Sequence, residues 1–295
     1  MEHRMSRFSA LILAALAFAI GGGVGVLGFL WATGGTGQPS RDIEDVAPTL
    51  SLDPELDILL ATEVAHISTR LDDLSAQVNA VASQQAAAVG QTTAGNDQAT
   101  NNTASDGQTL DDERVLFRIV PDESMVRFVV DEFLGGSTNA VEGTTRQVGG
   151  DIIINFSNPP QSQVGEIAIN ARTLRTDNTF RDQALRSQIL ESASDEFEFI
   201  IFTPTRLENL PESDVSVGDT LEFQIVGDLI IKSVSREVAF DAVVTIAAQD
   251  RLEGSANATI NYAEWDITIR TPPTVSDVAD EVLLEIDFVA TQVEE

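Results

Sequence analysis

The sequence predicts an all-β domain behind a long N-terminal extension. Three features carry that expectation. Short runs of period-two hydrophobicity repeat after residue 110, an uncharged apolar stretch lies near the N-terminus, and the chain has no cysteine and only two histidines. Taken in order, the 295 residues divide into an apolar segment (1–35), a heptad-patterned stretch (52–83), a small-residue linker (84–110) and a folded domain (111–295).

Between Ser9 and Thr33 no residue is charged, which is long enough for a helix to cross a bilayer. Arg4 and Arg7 precede this run, whereas Asp42, Glu44 and Asp45 follow it. The positive flank is expected in the cytoplasm and the C-terminal bulk outside, as a single-pass anchor in the cell membrane. A cleaved signal peptide is the competing reading, but the core is long for one and lacks an A-x-A site. Further on, Leu60, Val64, Ile67, Leu71, Leu74, Val78 and Val81 alternate at spacings of four and three. That seam predicts a short coiled coil and a homo-oligomer held through residues 60–81. The next residues, QQAAAVGQTTAGNDQATNNTASDGQ, are polar and free of aromatics, so they are expected to stay disordered as a tether.

The domain itself reads as strands throughout. VRFVV, DIIINF, EIAIN, FEFIIF, LEFQIVGDLII, EVAFDAVVTI, ANATINY and EVLLEIDFVA are separated by Gly, Pro, Asn and Asp clusters. Val282, Leu284, Ile286, Phe288 and Ala290 fall on one face, with Glu281, Glu285 and Asp287 on the other. About eight such strands imply a closed antiparallel barrel or a sandwich. Phenylalanines recur along the apolar rows, at Phe128, Phe156, Phe199, Phe223, Phe240 and Phe288.

Composition removes several kinds of chemistry. The net charge of -30 repels phosphate backbones, which excludes nucleic acid as a partner. His3 and His66 both lie outside the folded domain, so neither a Ser-His-Asp triad nor a His or thiolate metal site is available there. No catalytic residue, metal or cofactor is expected.

Several segments together carry a resemblance. FRIVPDESMVRFVV, VEGTTRQVGGDIIINF, ARTLRTDNTFRDQALRS, FEFIIFTPT and VGDLIIKSVSREV occur in the order and spacing of the YceI-like family of polyisoprenoid-binding proteins. The chain departs from that pattern at Ala184, where a histidine is common, at Ser233-Val234-Ser235, usually Gly-Val-Thr, and at Tyr262, usually arginine. The resemblance implies a closed lipocalin-like barrel of about eight strands with a short helix, holding an isoprenoid-type lipid in its lumen. The expected lumen residues are Phe128, Ile154, Phe156, Ile169, Phe199, Phe223, Leu229, Phe240, Ile286 and Phe288. From Asp111 onward 35 acidic residues face 13 basic ones, a net of -22, so a neutral lipid headgroup is favoured over a diphosphate.

The arginine-rich stretch TLRTDNTFRDQALRS predicts a short helix from near Thr179, capped by Asp177 or Thr176, with Asp182 and Arg186 as a surface ion pair. Arg175, Phe180 and Arg181 are the candidate lid or headgroup contacts. The leading expectation is a membrane-anchored, extracytoplasmic lipid carrier, store or sensor. The alternative is a structural protein with a packed barrel, assembled through its stalk, and cavity volume separates the two.

Overall fold

The computed structural model describes residues 35–52, 114–270 and 275–293. The expected anchor, coiled coil and linker lie outside the described residues, apart from their end residues Gly35 and Leu52. No helix among the described residues is long and apolar enough to cross a membrane. Residues 35–50 and 114–293 belong to one compact unit.

Among the described residues, alternating apolar and polar positions form twelve strands in one antiparallel sheet. They are β1 (Arg114–Ile119), β2 (Met125–Leu134), β3 (Ser137–Thr145), β4 (Val148–Gly149), β5 (Asp151–Asn155) and β6 (Gln163–Val164). Then follow β7 (Ile167–Asn170), β8 (Phe199–Glu208), β9 (Thr220–Ile231), β10 (Val234–Ala248), β11 (Arg251–Asn261) and β12 (Val275–Gln292). Hydrogen bonds link them in the order β4-β7-β8-β9-β10-β11-β12-β1-β5-β6. The long β12 pairs β11 along one edge and, along the other, first β2 and then β1. β3 completes a hairpin on β2.

The closed barrel of about eight strands expected from the sequence is not what forms. The sheet is a curled half-barrel whose hydrogen-bonded path has two ends, β4 and β6. Both end strands are only two residues long, and no ladder joins them. The pairing is interrupted between β3 and β5. Gly150 separates β4, at one end of the path, from β5, near the other, and a Cβ there would meet Ile167 Cδ1 at 2.5 Å. Covalent continuity through one glycine spans the gap where a ladder would otherwise run.

A segment that the sequence reading leaves unassigned lies against this region. Residues 35–50 form a strap fixed by two buried carboxylates. The Ser40 amide donates to Glu198 Oε1 at 2.8 Å, and the Leu50 amide donates to Asp151 Oδ2 at 3.0 Å. Between them Ile43 is buried within a 3-10 turn (Ile43–Asp45) that packs on β4 and β7, and the Arg41 guanidinium lies 5.2 Å over the Phe199 ring. Gly37 adopts φ +68 and accepts a 3.1 Å hydrogen bond from Arg175 Nη2; a Cβ there would sit 2.4 Å from the same nitrogen. Only glycine meets both demands.

Each carboxylate has further donors. Asp151 receives Arg118 Nε at 2.8 Å and Nη2 at 3.0 Å, and this hydrogen-bonded partner raises the Arg118 pKa. Glu198, fully buried at the foot of β8, takes Asn170 Nδ2 at 2.8 Å and lies 3.1 Å from Arg172 Nη1. Arg172 in turn donates to Ser192 O and pairs with Asp195 at 2.7 Å. A buried charge removed from such partners is strongly destabilising.

The stretch after β7 also differs from expectation. The helix, α1 (Thr179–Ala184), is capped by Asn178, whose side chain accepts from the amides of Phe180 and Arg181; neither Asp177 nor Thr176 caps it. Asp182 and Arg186 are buried, not a surface pair. With a helix of six residues followed by a π-type turn (Leu185–Ile189), Asp182 points back to accept from the Thr176 amide and hydroxyl, at 2.7 and 2.8 Å. The surface ion pair is instead Arg181 with Asp177, at 2.7 Å.

β9 and β10 meet at Lys232-Ser233, both left-handed with φ 50 and 68, the two-residue turn that matches strand twist. Lys232 is also paired with Glu191. A serine in this region is strained where glycine is relaxed. Ser233→Gly is therefore expected to stabilise the domain by about 0.5–1 kcal/mol, raising Tm by roughly 1–4 °C in thermal denaturation. Loss of the strap acts the other way. A chain of residues 111–295 is expected to be less stable than one of residues 35–295 by on the order of 3 kcal/mol, with partial recovery on adding a peptide of residues 35–50. Equal melting temperatures would show that the strap contributes nothing.

Candidate functional site

The inward face of the curled sheet surrounds a cavity of about 790 Å³. Strand parity decides its wall. Along β2, Val126, Phe128 and Val130 point inward, and the row continues through Glu132 to Leu134 at an opening. β12 supplies Val282, Leu284, Ile286 and Phe288; β9 supplies Leu221, Phe223, Ile225, Leu229 and Ile231. β5, β7 and β8 add Ile152, Ile154, Ile167, Ile169, Ile200 and Phe202. The buried core falls into two clusters, one around Phe117, Ile246 and Leu252 and the other around Phe202, Leu229 and Trp265. The cavity wall shares members with both. Trp265 itself is off the wall, buried, and donates its indole N–H to Leu229 O at 3.0 Å.

One strand beside the cavity carries only small residues at its centre. The inward positions at the middle of β11 are Gly254, Ala256 and Ala258, between Leu252 and Ile260. Across the ladders, Phe288 stands opposite Gly254 and Phe128 opposite Gly143. A Cβ on Gly254 would lie 2.8 Å from the Phe288 ring, and one on Gly143 only 2.2 Å from the Phe128 ring. The rings thus lie over glycines, and the interior they leave is not refilled. A volume in this range suits a small-molecule pocket, and an apolar wall with few polar groups is the usual form of one.

The wall also carries polar residues: Ser162, Gln163 and Gln188, and Glu132, Asn178 and Arg181 near the end of β2 and the start of α1, with Tyr262 and Arg270. Arg127 and Glu285 alternate with the inward rows of β2 and β12 and face each other across the ladder on the outer side. Arg127 is paired with Glu285 at 2.7 Å and with Glu142 at 3.3 Å, and its hydrogen bond to Glu285 raises its pKa. Arg181 is held by Asp177 and, at 3.4 Å, by Glu132. Burial pushes the Tyr262 hydroxyl pKa up, and the negative charges of Asp280 and Asp277 push it further. None of the wall residues is a histidine, cysteine or lysine, and most are aliphatic or aromatic.

Of the lumen residues expected from the sequence, Phe128, Ile154, Ile169, Phe223, Leu229, Phe240, Ile286 and Phe288 lie on the wall. Phe199 does not: β8 turns Ile200 and Phe202 inward and leaves Phe199 under Arg41 of the strap. Phe156 lies beyond the end of β5 and packs edge-on to Phe117 at 6.5 Å. Phe180 and Arg181 line the opening, whereas Arg175 is an exposed tie to Gly37 and bridges the backbone of Thr144. Sequence reasoning missed Gly143, Gly254, Ala256 and Ala258. The only signal for the last three is the run of small residues in GSANA, which also suits a closely packed sheet, and Gly143 carries none.

Comparison with known proteins places the domain. No curated protein matches the chain. Among solved structures it is similar to BcnA of Burkholderia cenocepacia, with 14% identity over 59% of this chain and 99% of that one and a TM-score of 0.47. It is similar to a polyisoprenoid binding domain from Saccharophagus degradans implicated in plant cell wall breakdown, with 13% identity over 61% and 99% and the same TM-score of 0.47. A Campylobacter jejuni YceI protein is similar at 19% identity over 52% and 85%, with a TM-score of 0.42. The YceI-like domain matches residues 117–290, from β1 to the last turns of β12. Because that match spans more than half of its residues, the chain belongs to the YceI-like domain family.

Proposed function

We propose that this protein binds a long apolar lipid of the polyisoprenoid type and acts as its carrier, store or sensor at the outer face of the cell membrane. One observation carries the reading: a cavity of about 790 Å³ walled by aliphatic and aromatic side chains. Each methylene transferred into such a wall contributes about 0.8 kcal/mol before ordering costs, so a few isoprene units suffice for firm binding. The similar Saccharophagus degradans protein is itself a polyisoprenoid binding domain, and family membership supports the same ligand class here. The unfilled interior favours this reading over a solid barrel that serves only assembly. Binding, not catalysis, is the activity.

Residues 9–33 serve as a single-pass anchor with the N-terminus in the cytoplasm, and residues 60–81 join copies of the chain. The lipid headgroup is neutral. Arg181, on the cavity wall, is already engaged by carboxylates, and Asp277 and Asp280 add negative charge beside Tyr262. A diphosphate entering there meets repulsion with little cationic compensation.

The test is the composition of the purified protein. Full-length chain extracted with organic solvent is expected to release a prenyl lipid in near-stoichiometric amount by mass spectrometry, and Ala256→Phe, which refills the cavity, to release little while melting cooperatively. An empty wild-type extract, repeated after incubation with native membranes, would overturn the proposal. In a titration at low salt, a polyprenyl alcohol or quinone is expected to bind at least about tenfold tighter than the matching diphosphate, with the gap narrowing as salt rises. Equal affinities would remove the neutral-head assignment.

A further inference from the structure

The described residues with large, exposed apolar side chains are Phe133, Leu134, Phe180, Val217 and Val243. Three of these gather at the cavity opening. Leu134 and Phe180 line it, and the ion pair from Arg181 Nη2 to Glu132 Oε1, 3.4 Å long, ties the helix of Phe180 to the strand end that carries Phe133 and Leu134. The β2–β3 hairpin closes just beyond, at Gly135-Gly136 with φ 59 and 89, and nothing lies within 4 Å of where their Cβ atoms would be. The tip therefore projects freely. An exposed apolar patch continuous with an apolar interior calls for a covering partner.

The path of the chain identifies that partner. Gly37 is hydrogen-bonded to Arg175, and three residues beyond Arg175 the chain reaches Asn178, on the wall of the opening. The uncharged run 9–33 ends four residues before Gly37, a span of at most about 14 Å. Gly37 thus sits beside the segment that leads into α1, while Arg175 itself bridges Thr144 at the end of β3 away from the hairpin tip, and the strap leaves little slack between the domain and whatever holds the apolar run.

We propose that Phe133, Leu134 and Phe180 form a bilayer-docking rim through which lipid enters and leaves the cavity. The inference rests on the proposed anchor and lipid ligand. The three side chains sink into the boundary between headgroups and acyl chains, so the ligand passes from bilayer to cavity along continuous apolar surface. Exposed Asp131 and Asp177 lie next to these residues in sequence, and exposed Asp277 stands opposite Phe133 in the ladder with Asp280 further along β12, so the surface docked is zwitterionic or neutral, and anionic lipid weakens it.

The absence of native cysteine allows single-site labelling of the whole chain. Leu134→Cys and Phe180→Cys carry an environment-sensitive fluorophore in full-length protein reconstituted into phosphatidylcholine vesicles with a doxyl-labelled phospholipid. Val217→Cys and Val243→Cys are the controls. Loss of fluorescence at 134 and 180, with none at 217 and 243, is expected. Equal quenching at all four positions, or none, overturns the proposal. Rim labels shielded from both the doxyl lipid and aqueous iodide overturn it too, since a second copy or another protein then covers the patch. Phe133→Asp, off the cavity wall, is expected to slow lipid uptake from the vesicles about tenfold. An unchanged uptake rate would deny the rim its role in transfer. Quenching at the rim together with an empty solvent extract would instead leave docking in place and sink the lipid cargo.

Discussion

Two buried carboxylates, Glu198 and Asp151, hold the strap across the weakest part of the sheet. The sheet ends there in β4 and β6, each two residues long, and β5 is buried along its whole length. Unpaired strand ends exposed to water invite pairing with other chains. In this molecule the strap passes over Gly149 and Gly165, with Ile43 and Leu50 against them. Its backbone amides add donors to acids that also hold Arg118, Asn170 and Arg172. The seam, the strap and the buried charges are therefore a single arrangement, and removing one exposes the others.

That arrangement also changes how the chain is tethered. The linker pattern of residues 84–110 suggests a domain on a long leash, but the strap binds the domain through residues 35–50, much closer to the apolar run 9–33. The strap and the strands from β1 onward belong to the same compact unit. With residues 9–33 as the anchor proposed above, a short tether would make contact with the bilayer effectively intramolecular, so that even weak docking at the opening would be populated. Lipid exchange then needs no strong rim.

The cavity follows from a mismatch between opposing faces. Phenylalanine rings on β2 and β12 lie over Gly143 and Gly254, and the adjoining alanines of β11 extend no further than Cβ. Interiors normally fill to crystal-like density, so a void of this size represents apolar packing forgone. A lipid tail restores those contacts, which is why binding and stability are expected to rise together.

The sequence by itself determined the strands and much of the cavity wall. In β2 and β12 one parity is apolar and the other charged, so Phe128, Ile286 and Phe288 have only one place to go. Where both parities are apolar that logic stops. FEFIIF reads equally well either way, and only in the folded sheet does Phe202 face inward against Phe240 while Phe199 lies under Arg41 of the strap. Tertiary structure alone decided the open seam, the strap and the empty interior. The strap has no periodicity, and its partners are 101 and 158 residues away, so its amides are ordinary loop groups until Asp151 and Glu198 are brought to them. Small residues mark space only once it is known what stands opposite, and that is a property of strand register, which pairs distant parts of the chain.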